Sequence, residues 1–257
     1  MITIQDLSFQ YAKDAPLFKS FHWCVTESEA WTILGPSGCG KTTLLYLLAG
    51  LLQPSGGQVH IHGELLLRPR PRTGLILQDF GLLPWATVRE NVDLGQRIRA
   101  FYGPDGLHAP ANKNALQEEE STDYWLERLK LAAVAHQYPS QISGGQRQRS
   151  AIARTLVLNP DLLLMDEPFA SLDAPTRETL QNLILELHRE RSLMVITVTH
   201  TIEEAAVLGN KILLLGHPPQ QQCQILENPG GAEPEFRGSK EYQRVCSQLR
   251  AMLEAHS

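Results

Sequence analysis

Ala30-Trp31-Thr32-Ile33-Leu34 runs into Gly35-Pro36-Ser37-Gly38-Cys39-Gly40-Lys41-Thr42-Thr43 and then into Leu44-Leu45-Tyr46-Leu47-Leu48-Ala49-Gly50. The first stretch is an unbroken apolar run of strand length. The last places Leu44, Leu45, Leu47 and Leu48 on a helical face that stops at Gly50. Between them lies G-x-x-x-x-G-K-[ST] in the strand, glycine-rich turn, helix order that the pattern needs. Glycines let the backbone N–H groups of such a turn converge on phosphate oxygens, and the helix dipole behind them favours negative charge. Lys41 would neutralise the outer phosphates, and the Thr42 hydroxyl would bind Mg²⁺.

A second apolar strand, Leu162 to Met165, ends in Asp166-Glu167. Open α/β sheets present their ligand sites at the carboxyl ends of such strands. Taken alone, an Asp-Glu pair there is a strand end meeting solvent. Beside the phosphate turn it gains a chemical reading: Asp166 holds the magnesium ion and Glu167 polarises a water.

Outward from these two segments, Ile2, Ile4, Leu7 and Phe9 alternate as a half-buried strand, and Gln58 to His62 forms a short hairpin arm between glycines. Leu75-Ile76-Leu77 is a compact strand ending at Gln78, and Thr87 with Glu90 has capping-box spacing. The polar stretch 102–120 reads as a solvated loop or insertion. Helical patterning resumes over Asp123 to Ala135 and from Gly145 to Leu158, the latter closed by Asn159-Pro160. Pro175 opens a helix reaching about Arg191, Met194 to Val198 is a strand, and Ile212 to Leu215 is expected to be the last. After His217 the chain carries no chemistry beyond a helix-like stretch, Lys240 to Glu254. Strands alternating with helices imply a mainly parallel sheet covered on both faces.

The chain has 257 residues, enough for one large α/β domain with a subdomain. A net charge of -5 argues against binding driven mainly by a nucleic-acid backbone, which needs a dense Lys/Arg surface, and leaves room only for a local basic patch. Cys24, Cys39, Cys223 and Cys246 have neither zinc-site nor disulfide-framework spacing, so a reducing compartment is expected. No run approaches the roughly 20 apolar residues of a membrane span, and the N-terminus lacks signal-peptide regions.

Ile142-Ser143-Gly144-Gly145-Gln146-Arg147-Gln148-Arg149 discriminates most. Bare, it is a turn before a helix with a solvated basic face. Yet a Ser hydroxyl and glycine N–H groups at a helix N-terminus make a second phosphate cradle in the same chain. One γ-phosphate does not need two cradles from one subunit.

With the phosphate turn, Gln78, Ser143 to Gln146, Asp166-Glu167, Ser171-Leu172-Asp173 and His200 in this order, the sequence resembles ABC ATPase subunits over nearly its whole length. The resemblance implies an α/β fold with a P-loop NTPase (RecA-like) core, an N-terminal antiparallel β subdomain and an inserted helical subdomain at about 86–155. The ATPase domain would span 1–220, with a short C-terminal extension over 221–257. It implies a head-to-tail dimer in which ATP lies between one chain's Gly35, Pro36, Ser37, Gly38, Cys39, Gly40, Lys41, Thr42 and Thr43 and the other's Ser143, Gly144, Gly145 and Gln146. Tyr11 would stack on the adenine, and Gln78 would sense Mg²⁺ and water while linking to a permease. Glu167 would be the general base, His200 would contact the γ-phosphate, and Asp173 would support the dimer contact. Thr201 departs from the family, where many members carry Asp after the histidine, which leaves the orientation of His200 open.

Gly81-Leu82-Leu83-Pro84-Trp85 is similar to the importer subgroup for nitrate, taurine and other sulfonates. The resemblance therefore implies ATP and Mg²⁺ as cofactors, and either a homodimer or pairing with a similar ATPase subunit. Transmembrane permease subunits and, indirectly, an extracytoplasmic substrate-binding protein complete the expected partners. The location implied is the cytoplasmic face of the inner membrane. The alternative is a non-transport ABC ATPase linked to DNA repair or translation. The former separates its halves by a long coiled coil, for which Lys41 and Asp166 lie too close, and the latter normally carries two phosphate loops.

Overall fold

The structure, a computed structural model, describes residues 1–12, 15–102 and 121–254. The chain runs β1 (Ile2–Phe9), β2 (Phe18–Val25), β3 (Ala30–Leu34), α1 (Lys41–Leu48), β4 (Gly56–Ile61), β5 (Glu64–Leu65), β6 (Thr73–Ile76) and α2 (Val88–Tyr102). It continues through α3 (Thr122–Arg128), α4 (Gly144–Leu156), β7 (Leu162–Asp166), α5 (Ala174–Arg191) and β8 (Met194–Val198). Then come α6 (Ile202–Leu208), β9 (Lys211–Leu214), β10 (Gln224–Glu227) and α7 (Lys240–Glu254).

Two sheets result. The antiparallel one has the order β2-β1-β4-β5. Its alternation slips where Asp6 takes φ 51°, opposite Gly57 at φ 76°. A Cβ on Gly57 would lie 2.3 Å from the Asp6 carbonyl oxygen, so only glycine fits this bulge. The second sheet has the order β10-β9-β3-β8-β7-β6, parallel throughout except for β10. Every residue of β3, β7 and β8 is buried, as expected of strands covered on both faces.

Between the sheets, Phe18, Phe21, Trp23 and Trp31 pack with Leu44, Leu45 and Leu48 of α1. On the opposite face, Trp125 of α3 and Ile152 and Leu156 of α4 join Phe169 and the buried side of α5. A third apolar group ties Val245, Cys246 and Leu249 of α7 to Ala205, Ala206 and Ile212. These layers hold β3, β8, β7 and β6 side by side, so the segments leaving their carboxyl ends emerge along one edge.

Several elements differ from the sequence expectation. The helix expected over Asp123 to Ala135 stops at Arg128, because Lys130 turns left-handed at φ 55° and Ala132–Val134 is a separate 3₁₀ turn. Ile212 to Leu215 is not the last strand, since β10 pairs antiparallel with β9. β2 and α6 were not anticipated. Of the polar stretch 102–120, residues 103–120 lie outside the described residues.

Candidate functional site

The turn after β3 is pinned at both ends. A Cβ on Gly35 would fall 2.4 Å from the Leu215 carbonyl oxygen, so this glycine lets the turn pack against the end of β9. Lys41, the first residue of α1, is buried, and its ammonium donates to the carbonyls of Gly35 and Pro36 at 2.8 and 2.9 Å. The lysine thus curves over the loop that Ser37, Gly38, Cys39 and Gly40 complete. Burial pushes the Cys39 thiol up despite the neighbouring Lys41, in keeping with its packing in the core between the sheets.

Asp166 ends β7 beside this turn and accepts from the Thr42 hydroxyl at 3.1 Å. Burial pushes its carboxyl up; the Thr42 hydrogen bond and Lys41 oppose that, and the Glu167 charge adds to it. Glu167 is held at φ 46° with its N–H donating to the Val198 carbonyl at 3.0 Å, which turns its side chain off the strand end. One carboxylate oxygen of Glu167 then meets two groups, the Gln78 amide nitrogen at 3.4 Å and His200 Nδ1 at 3.2 Å. Four loops from four adjacent strands therefore converge on one edge.

Tyr11 stands at the rim, its hydroxyl 3.2 Å from Thr43 Oγ1 and its ring edge-on to Phe9. Tyr11, Leu17, Ser37, Gly38, Gly40, Lys41, Thr42, Thr43 and Glu167 line a cleft of about 390 Å³. Thr42 and Asp166 offer hard oxygen donors, and among the described residues no cluster of three or more His, Cys, Asp or Glu forms a protein cage for a metal. That donor set suits a Mg²⁺ ion shared with phosphates, which keeps one or two protein oxygens and takes the rest from water and ligand.

Ser143, Gly144, Gly145 and Gln146 are not part of that lining. They form the N-terminus of α4 in a closed capping box, with Ser143 N–H donating to Gln146 Oε1 at 2.8 Å and Gln146 N–H donating to Ser143 Oγ at 3.2 Å. A Cβ on Gly145 would come within 2.6 Å of Thr176 Cγ2, on the helix that Asp173 caps by accepting from Thr176 N–H at 3.0 Å. The Ser143 turn and Asp173 accordingly share one surface.

Sequence reasoning missed Arg154. From α4 it donates to the carbonyls of Phe80 and Gly81 at 3.0 and 2.6 Å, while Arg147 lies over the Phe80 ring. The loop after Gln78 is thereby strapped to the helix that begins at Ser143. Repeated arginines on α4 were the available signal, but nothing in their spacing names the loop they hold.

A sequence model of the family described as ABC transporter matches residues 18–170. The chain belongs to the ABC transporter family. It is an ABC ATPase, and its hydrolysis of ATP is coupled to transport. Among similar members, the aliphatic sulfonates import ATP-binding protein SsuB of Bacillus cereus is 32% identical, covering 98% of this chain and 96% of its own. The taurine import ATP-binding protein TauB of Pelagibacter ubique is 37% identical over 78% of this chain and 71% of its own. Among solved ABC structures, a dimeric post-hydrolysis state of the ATP-binding cassette MJ0796 bound to ADP and Pi superposes with TM-score 0.72. It is 29% identical over 88% of this chain and 98% of that one. CbiO1 of Clostridium perfringens, at 24% identity and TM-score 0.73, shares the fold over 99% of this chain and 97% of its own.

Proposed function

We propose that this chain is the ATP-binding and ATP-hydrolysing subunit of an importer for a small anion such as nitrate, a sulfonate or taurine. Two copies, or this chain and a similar ATPase subunit, pair head to tail beneath transmembrane permease subunits at the cytoplasmic face of the inner membrane. An extracytoplasmic substrate-binding protein delivers the cargo. The observation that carries the pairing is the separation of two phosphate-binding helix starts. One, at Lys41, opens into the cleft with Glu167, and Asp166 stands behind it on the Thr42 hydroxyl. The other, at Ser143, lies outside that cleft and so serves a second chain.

In this reading the nine residues Gly35 to Thr43 hold the phosphates, and Tyr11 stacks on the adenine. Thr42, Asp166 and Gln78 would hold a magnesium ion, which would supply charge neutralisation of the β- and γ-phosphates. Glu167 accepts a proton from the attacking water, and His200 contacts the γ-phosphate. Ser143, Gly144, Gly145 and Gln146 of the opposing chain close the site, with Asp173 at the same contact. ATP favours the closed dimer because its γ-phosphate bridges both chains, and hydrolysis removes the bridge. The strap from Arg154 to the Phe80–Gly81 turn carries that closure from the site to the helical region, where Trp85 is 74% exposed, a fit for a surface covered by a permease.

The relatives named as importing sulfonates and taurine support both direction and cargo class. Among the described residues no helix is long and apolar enough to cross a membrane. The test is ATP hydrolysis by the transporter reconstituted in liposomes with its permease and binding protein. Stimulation by taurine, an alkanesulfonate or nitrate is expected. Stimulation only by an unrelated solute would remove the cargo class and leave the ATPase assignment standing.

A further inference from the structure

The C-terminal segment reaches the His200 loop through a chain of hydrogen bonds. Arg237 donates one guanidinium nitrogen to Gln181 Oε1 and another to Glu178 of α5. The Gln181 amide, buried in α5, donates to Glu204 Oε1 at 2.8 Å. Glu204 Oε2 accepts from the Thr199 hydroxyl at 2.5 Å, and the Thr199 oxygen in turn accepts from the Thr201 N–H at 3.1 Å. The chain therefore ends on both residues flanking His200.

The direction of these bonds is fixed by chemistry. Arginine only donates, so Gln181 must present its carbonyl oxygen to Arg237 and its NH₂ to Glu204. The Thr199 hydroxyl has one proton, which goes to Glu204, leaving its oxygen free to accept from Thr201. Glu204 receives every partner as an acceptor. Thr199 is also fastened to the sheet, its N–H donating to the Ile33 carbonyl at 3.1 Å. Thr201 is where many family members carry Asp; here a neutral hydroxyl leaves Glu204 as the carboxylate that orders the turn.

We propose that Arg237 is a positioning residue for His200, acting from the C-terminal segment through Gln181, Glu204 and Thr199. This rests on the proposed role of His200 at the γ-phosphate. Arg237 touches no nucleotide. It fixes the amide of Gln181, which fixes Glu204, which holds the Thr199 hydroxyl, and that oxygen in turn holds the Thr201 N–H across the imidazole opposite Glu167.

The experiment is steady-state ATP hydrolysis by the intact protein for Arg237→Ala, Arg237→Lys, His200→Ala and the double variant H200A/R237A, with thermal unfolding of each. Losing the relay should lower kcat of Arg237→Ala about tenfold, with KM for ATP within about twofold. Arg237→Lys, which still donates to Gln181, should recover most of the rate. In the His200→Ala background the Arg237→Ala change should have no further effect, because nothing remains to be positioned. Unchanged kcat in Arg237→Ala, a KM shift in its place, or an equal fractional loss in both backgrounds overturns the relay. Wild-type turnover in His200→Ala would instead remove the histidine's role and the relay with it.

Discussion

Glu167 and His200 meet end to end, the carboxylate Oε2 lying 3.2 Å from imidazole Nδ1. Gln78 approaches the same oxygen at 3.4 Å, so a single carboxylate oxygen joins loops from three strands. The proposed role of Glu167 as general base requires a charged carboxylate. Glu167→Gln keeps the shape and removes the basicity, and turnover should fall by roughly 10²- to 10⁴-fold. ATP binding should persist, so gel filtration with ATP should show dimers accumulating. Wild-type phosphate release from this variant would remove Glu167 as the base.

Glu29 stands at the other end of β3, just before Ala30. Burial raises its carboxyl, but donors from Lys211 Nζ at 2.8 Å, Thr26 N–H at 3.0 Å and Trp31 Nε1 at 2.8 Å outweigh it and bring the group down to about 2. Because the folded value lies below the ordinary 4.5, its stabilisation is present above pH 4.5 and fades as pH falls toward about 2. Glu29→Gln should therefore unfold at lower denaturant than the parent at pH 7, with the gap narrowing steadily below pH 4.5. A gap independent of pH would show that packing, and not charge, accounts for it.

Arg154 is the strap between the Gln78 loop and α4. Burial lowers its pKa, and its observed donors go to the backbone carbonyls of Phe80 and Gly81, which sit at φ 61° and 60°. Arg154→Met leaves those carbonyls without their donor, a loss of about 1–3 kcal/mol. Amide exchange should accelerate at Phe80 and Gly81 while β7 and β8 stay protected. Equal acceleration across the sheet would mean that Arg154 supports the whole fold and not this loop.

Much of the architecture was legible because the buried strands are apolar without interruption and bounded by turn residues. Ala30–Leu34 and Met194–Val198 form strands over those same residues, and Thr87/Glu90 closes a capping box as spaced. β2 escaped because its alternation slips at Ser20, where φ is 49°, so Phe18 falls out of step with Phe21, Trp23 and Val25. β10 escaped because an edge strand with Ile225 exposed carries no apolar period. At the site, the phosphate turn and Asp166-Glu167 are local in sequence and could be read directly. The contacts of Gln78 and His200 with Glu167, the Arg154 strap and the Arg237 relay join residues dozens of positions apart, and only strand order brings them together.

In the proposed dimer each ATP is held by Lys41 of one chain and Ser143 of the other, and mixing two crippled variants separates a shared site from one built within a single chain. Lys41→Ala destroys one half-site, and Ser143→Arg blocks the other, so neither homodimer should hydrolyse ATP. In a mixed dimer the two defects fall in the same site, and the remaining site has an intact Lys41 facing an intact Ser143. Recovery of turnover on mixing is the expected result. No recovery from mixed dimers whose formation has been verified would contradict a site shared between two chains.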